Sequence, residues 1–204
     1  LNSGYLTAGD IKYQDTNGDG QITDADKRRL GKSGKPRGQF GINLNMSYKG
    51  FYLSALFQGS TKFNMYVAGS LGMQTGQTYG MPVAYDYQTD FWTPDNRDAQ
   101  YPRLMANTAL NQNNNYASSD FWLINGAYLR MKDFQFGYDF KYSLLKNVSW
   151  LTRCKMGISG QNIFTISQAT KYGMDPEPSD TNYYGYPVER TIASVSYTHL
   201  RAHE

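Results

Sequence analysis

The sequence predicts an all-β fold: an antiparallel transmembrane β-barrel segment with long extracellular loops. Three observations predict it. Several stretches alternate apolar and polar residues over roughly 9–11 residues, the length of a membrane-crossing strand. Connections alternate between short turns and loops of about 60 and about 20 residues, an asymmetry typical of outer-membrane barrels. Aromatic residues make up 15% of the chain, yet mean hydropathy is −0.63 and charged residues reach only 18%. An ordinary soluble domain carries about 25% charge.

Composition also excludes. No run approaches 18 apolar residues, so a transmembrane helix is excluded, whereas barrel strands escape hydropathy averages. The aromatic content argues against disorder. A net charge of +3 is too small and scattered for nucleic acid. One Cys in 204 residues rules out an internal disulfide framework. The chain begins Leu1-Asn2-Ser3 without Met or signal peptide, as a mature protein or a fragment would.

Residues 1–36 are polar and read as an extracellular loop region, in which Asp24-Ala-Asp-Lys-Arg-Arg29 suits one or two helical turns capped by Thr23 or Asp24. Barrel strands are expected over 37–194. Phe40, Ile42, Leu44, Met46 and Tyr48 share one parity, and Gly41, Asn43, Asn45 and Ser47 the other. Lys49-Gly50 is a two-residue turn signal, after which Phe51, Leu53, Ala55 and Phe57 resume the apolar parity: a hairpin. Residues 61–120 show little alternation, and so long a connection is usually functional. From Tyr128, Phe134, Phe136, Tyr138 and Phe140 face one way. Carrying that phase backward puts Arg130 and Lys132 on the aromatic side; a bulge near Lys132-Asp133 would instead switch the faces. After a connector at about 141–148, Trp150, Thr152, Cys154, Met156 and Ile158 alternate with Arg153, Lys155, Gly157, Ser159 and Gln161. A polar loop over 167–187 precedes a last strand starting near Val188 or Arg190.

Half-buried soluble strands also alternate, so a β-sandwich is the competing fold. Aromatics at strand ends, amides and cations on the second face, and the loop asymmetry favour the barrel. The apolar parity would face lipid and the polar parity a wet lumen.

Asp15-Thr-Asn17-Gly-Asp19-Gly20-Gln21-Ile-Thr23-Asp-Ala-Asp26 fits a calcium-loop pattern. Calcium takes six to eight hard oxygens. Asp15, Asn17 and Asp19 would supply side chains, Gln21 its carbonyl and Thr23 a hydroxyl or bridging water, while Asp26 stands where a bidentate Glu is usual. The entering helix is missing. A structural calcium ion or a plain Asx-rich turn accounts for the motif.

Catalytic constellations are lacking, and the chain reads as a non-enzyme. The two His, His199 and His203, fall in Ser196-Tyr-Thr-His-Leu-Arg-Ala-His-Glu204, which breaks the strand pattern and resembles translated sequencing adapter; residues 195–204 therefore read as a non-native tail. No His is then left to activate a Ser or Cys nucleophile. Cys154 on the apolar parity reads as a small hydrophobe. No Asp/Glu pair and no phosphate-binding glycine loop stands out.

The landmarks occur in series: Gly9-Asp10-Ile-Lys-Tyr13, the acidic loop, Gly41-Ile-Asn43, Tyr48-Lys-Gly50-Phe51, Phe57-Gln-Gly59, Trp92-Thr-Pro94-Asp-Asn96, Tyr101-Pro-Arg103-Leu104, Ser119-Asp-Phe-Trp122, Tyr128-Leu-Arg130-Met-Lys132, Ser159-Gly-Gln-Asn-Ile-Phe-Thr165, Gly173-Met-Asp175-Pro-Glu177 and Tyr186-Pro187. This series, over residues 9–193, resembles the C-terminal end of the SusC/RagA family of TonB-dependent outer-membrane transporters. The resemblance implies about the last five strands of a 22-stranded plugged barrel in the cell outer membrane. It implies import of glycan or peptide fragments, a SusD-like surface lipoprotein lid, and TonB–ExbB–ExbD acting through an N-terminal region outside this chain. On this reading Tyr79, Tyr85, Tyr87, Trp92, Tyr183, Tyr184 and Tyr186 would meet substrate or lid, since aromatic rings stack on sugar and peptide faces. Arg130 and Lys132 would meet lipopolysaccharide phosphates if outward, or the lumen if a bulge intervenes. The alternative is a secreted, calcium-stabilised glycan-binding β-sandwich.

Overall fold

The computed structural model describes residues 5–31, 33–67, 89–104, 114–177 and 188–200. Among them eight antiparallel strands are formed: β1 (Gly38–Tyr48), β2 (Phe51–Thr61), β3 (Asn64–Tyr66), β4 (Leu123–Asn125), β5 (Tyr128–Asp139), β6 (Leu151–Gln161), β7 (Thr165–Ser167) and β8 (Thr191–Leu200). The main sheet runs β1-β2-β5-β6-β8, each strand pairing its neighbour, with β7 added beside the start of β5. The helical pieces among the described residues are single 3-10 turns.

The hairpin forms where the alternation places it. Lys49 and Gly50 sit at φ 47° and 90°, as both central residues of a type I′ turn require, and Gly makes the second affordable. The register sets Ile42 opposite Phe57, Leu44 opposite Ala55 and Met46 opposite Leu53. It sets Asn45 opposite Ser54, whose hydroxyl donates to the Asn45 side chain at 2.8 Å. Across the next two strands Leu53, Phe136 and Ile158 share the apolar face, as do Phe51, Tyr138 and Met156. Gly137, Gly157 and Tyr52 share the polar face.

The apolar face has no second layer among the described residues. Ile42, Leu44, Met46, Phe136, Met156 and Ile158 are all exposed. A sandwich would bury this row; a barrel turns it to lipid. Eleven residues at about 3.3 Å each span about 36 Å, or about 28 Å when tilted by about 40°, close to the apolar band of roughly 25 Å of an outer-membrane barrel. At the short-turn end, Phe51 and Tyr138 rings lie 4.7 Å apart and Tyr138 and Phe140 5.3 Å apart, with Tyr48, Tyr142 and Trp150 exposed beside them. These aromatics form the belt expected at a membrane boundary.

The bulge alternative holds on β5. Leu56 pairs with Asp133 and Phe57 with Met131, so Lys132 is the extra residue. Above it Leu129 and Met131 take the apolar face, while Tyr128 and Arg130 turn to the polar face opposite Ser60 and Gln58. The outward placement of Arg130 and Lys132 toward lipid phosphates is thereby corrected. The next strand breaks at the same level: Asn162 adopts φ 52°, its N–H donates to Lys132 O at 3.1 Å, and the chain resumes as β7.

Two further expectations change. The 61–120 connection is not plain loop, because β3 pairs with β4 at Tyr66–Leu123 and Asn64–Asn125. And β8 does not stop at Val195; it pairs with β6 as far as Leu200. Its parity inverts along the way. Ile192 lies on the apolar face opposite Gly160, but Ser194 and Ser196 follow there opposite Ile158 and Met156, while Val195 and Tyr197 take the polar face. Backbone pairing is indifferent to side-chain type, so the ladder continues where the amphipathic pattern has ended.

Candidate functional site: the folded cap at the long-loop end

Chain segments at the long-loop end build a cap with its own core. Val67, Trp122, Ile124, Ala169, Tyr172 and Met174 are buried together, and Ile11, Met65, Tyr66 and Tyr101 pack against them. Each large side chain buried this way contributes about 1.5–3 kcal/mol. The core of the described residues is therefore here, above the sheet.

A polar hub ties three segments of the cap. Arg103 donates to Asp10 from Nε at 2.8 Å and from a terminal nitrogen at 3.2 Å, across 93 positions of sequence. The fully buried Asn115 donates to Asp10 at 3.0 Å and accepts from the Ile11 N–H at 2.8 Å. Asn114 donates to Ile11 O at 2.8 Å, and Trp122 Nε1 donates to Asn115 O at 2.9 Å. Burial pushes the Asp10 carboxyl up, but the Arg103, Thr7 and Asn115 hydrogen bonds outweigh it and hold the carboxyl below its ordinary value.

A second cluster joins cap to sheet. The Arg130 side chain is 3% exposed. It donates to Asp175 at 2.7 Å and Thr165 Oγ1 at 2.8 Å, and also pairs with Glu177. Lys132 Nζ reaches Glu177 at 2.8 Å. Two cations thus meet two carboxylates, and the bulge is what aims both cations at one short arm.

The acidic loop closes on itself. Asp15 accepts from the Gly18 and Gly20 N–H groups at 2.6 and 2.7 Å; Asp19 accepts from Gln21 N at 2.8 Å and from the Asn17 amide at 3.0 Å; Asn17 accepts from Asp19 N at 2.9 Å. Thr23 caps the 3-10 turn Asp24–Asp26. Asp26, the residue in the bidentate position, spends its oxygens on Thr23 N and Thr16 N, both at 2.8 Å. Those backbone donors hold its carboxyl below the ordinary range. No group of three or more His, Cys, Asp or Glu able to hold a metal occurs among the described residues.

Of the aromatics expected to meet substrate or lid, Tyr79, Tyr85, Tyr87, Tyr183, Tyr184 and Tyr186 lie outside the described residues. Trp92 is half-buried, and its six-membered ring lies against Gly9, where a Cβ would overlap it. Two hollows open on the cap. One of about 740 Å³ is lined by Tyr13, Ile22, Leu30, Tyr66, Ser119 and Leu123 among others, and one of about 430 Å³ by Trp92, Tyr101, Phe121 and Lys12 among others. Neither hollow was legible in the sequence, because each joins segments about 100 positions apart. Asp10, Arg103, Asp175 and Glu177 stood in the sequence only as motif positions, with no sign that they pair.

A one-layer sheet with an apolar outer face, a polar inner face and a folded cap at one rim defines the class: a stretch of transmembrane β-barrel. Comparison with known proteins agrees. The chain is 28% identical over 205 residues to TonB-dependent receptor P3 of Formosa agariphila, covering 93% of this chain and 19% of the relative. It is 25% identical over 187 residues to TonB-dependent receptor P39 of the same organism, covering 90% and 16%. Among solved structures it resembles the RagAB peptide importer in a closed-closed state, with TM-score 0.53, 22% identity and coverage of 77% of this chain and 16% of that one. A second structure, of the RagAB peptide transporter, gives TM-score 0.52 at 21% identity. No protein-family model matches the chain. The chain is thus similar to TonB-dependent receptors in sequence and to RagAB structures in fold, and it spans about a fifth of the length of the curated relatives it matches.

Proposed function

We propose that the intact receptor resides in the outer membrane and imports glycan or peptide fragments. The observation that carries this reading is the exposed apolar face crossing a membrane's thickness beneath a folded cap of long loops. In this reading the cap faces outside, where a SusD-like lipoprotein closes over it. The short turns at Lys49-Gly50 and 140–150 face the periplasm, and TonB–ExbB–ExbD act through a part of the receptor outside this chain. The apolar face and its aromatic belt meet membrane lipid and lipopolysaccharide. The chain performs no catalysis. The two aromatic hollows are where a neutral, ring-bearing or peptide ligand would rest, since tyrosine and tryptophan faces stack on both. The acidic loop, with or without calcium at Asp15, Asn17, Asp19, Gln21 and Asp26, stiffens the outer surface. Residues 195–204 are foreign to the receptor, which the inverted parity after Ile192 supports.

The test is uptake. Cells lacking the receptor gene, and cells with it restored, would be offered a fluorescent peptide digest and a fluorescent oligosaccharide mixture. Receptor-dependent and TonB-dependent accumulation of either supports the reading and names the substrate class. Accumulation of neither, with the receptor in the membrane, contradicts it.

A further inference from the structure

The arm over residues 168–177 has two ends in different parts of the molecule. At one end Ala169, Tyr172 and Met174 are buried in the cap core with Val67, Trp122 and Ile124. The Tyr101 hydroxyl also meets the Tyr172 hydroxyl at 3.3 Å. At the other end Asp175 and Glu177 are clamped to Arg130 and Lys132 on the polar wall of the barrel. Between the ends the arm is stiffened by the Met174 N–H to Ala169 O bond at 3.1 Å and by the Glu177 N–H to the Asp175 side chain at 2.9 Å. The wall end is itself anchored, because Arg130 also holds Thr165 on β7 and β7 pairs with β5. A bulge that keeps two cations on one short arm re-aims them at the cost of a ladder position. Arg130 is the buried member of the cluster, with Lys132 and Glu177 partly open to water. Its bonds to Thr165, Asp175 and Glu177 fix one arrangement against its alternatives, because moving the carboxylates away strands a buried guanidinium.

We propose that this arm is a strut and that Arg130 is its positioning residue. Through Asp175 and Glu177 it sets where the whole cap sits on the barrel rim, including cap segments it does not touch. Loop ligands would then bind a surface whose position is referred to the barrel wall. That last step alone rests on the import reading.

The experiment is hydrogen exchange on the intact receptor in outer-membrane vesicles, comparing the parent with Arg130→Met, Arg130→Lys and the neutral triple Arg130→Met/Asp175→Asn/Glu177→Gln. Arg130→Met is expected to speed exchange at least tenfold at Glu177 and Met174. It should also speed exchange severalfold at Val67, Ile11 and Arg103, which belong to the cap core and its Asp10 hub, while the β1–β2 hairpin is unchanged. Arg130→Lys should recover part of the protection. The triple variant leaves only Lys132 without its carboxylate, and that side chain is about a quarter exposed to water, so the variant should assemble fully yet still free the cap. Faster exchange confined to 165–177, or no change, overturns the strut in either assembled variant. If Arg130→Met fails to assemble, the triple decides. Uptake of the fluorescent digest or oligosaccharide then separates the two claims. A freed cap with raised KM and unchanged maximal rate supports both. A freed cap with unchanged KM leaves the strut standing and removes the import role of the cap.

Discussion

Leu44 and Asn45 are neighbours on β1 and point to opposite faces of the sheet. Leu44 is the middle of the apolar row Phe40, Ile42, Leu44, Met46, Tyr48, and so lies near the bilayer midplane. Arg at that depth on the lipid face of a barrel costs about 2–4 kcal/mol. Arg at position 45 faces the wet side and should fall within about 0.5 kcal/mol of the parent. Depth supplies a third point. With a rise of about 3.3 Å and a tilt of about 40°, Tyr48 lies about 10 Å from Leu44 along the membrane normal. Tyr48→Arg should therefore cost only about 0–1 kcal/mol, because the penalty fades toward the interface. The assay is urea unfolding of the intact receptor in lipid vesicles, or the fraction reaching the compact, heat-modifiable form on gels where unfolding is irreversible. The expected order of damage is Leu44→Arg far above Tyr48→Arg and Asn45→Arg. Equal damage at 44 and 45, or greater damage at 45, would refute the assignment of faces.

Other predictions probe the cap and the inner wall. Asp10→Asn removes the charge that Arg103 grips and should loosen the cap by about 1–3 kcal/mol, read by tryptophan fluorescence at Trp92 and Trp122. Because the folded Asp10 carboxyl titrates below its unfolded value of about 4, its stabilisation is complete above that pH and is lost as pH falls through the folded value. The parent cap should loosen in that acid window, and the Asn variant should show less pH dependence there. Gly157→Val would drive a side chain into Phe136 O and the Tyr52 hydroxyl, so about 1–3 kcal/mol of overpacking and a reduced folded fraction are expected. Asp26→Ala should open the acidic loop to protease at Asn17-Gly18, while a calcium chelator added to the parent should leave it closed, since the oxygens of Asp15, Asp19 and Asp26 already hold backbone N–H groups.

What the sequence displayed follows from periodicity. A strand has period 2, so Phe40 to Phe57 announced both the hairpin and its faces, and Lys49-Gly50 announced its turn. The β5 faces could not be read that way. One extra residue at Lys132 inverts the parity, and only pairing with Leu56 and Phe57 shows where it sits. The cap was opaque for another reason. Its partners are Asp10 with Arg103, and Arg130 with Asp175 and Glu177, each joined across 45 to 93 positions with no local pattern to mark them. They were visible only as polar residues inside the motifs that carried the family resemblance. Trp92 shows the converse limit: an aromatic in a loop suggested a ligand contact, yet one side of its ring is taken by Gly9.

The central claim is that β1, β2, β5 and β6 cross the outer membrane with the cap outside. Single cysteines placed at Asp19 in the acidic loop and at Lys49 in the short turn, in a Cys154→Ser background of the intact receptor, test it directly with a membrane-impermeant maleimide on whole cells. Labelling is expected at 19 on intact cells and at 49 only after the outer membrane is opened. Labelling of both on intact cells, or of 49 alone, would contradict it.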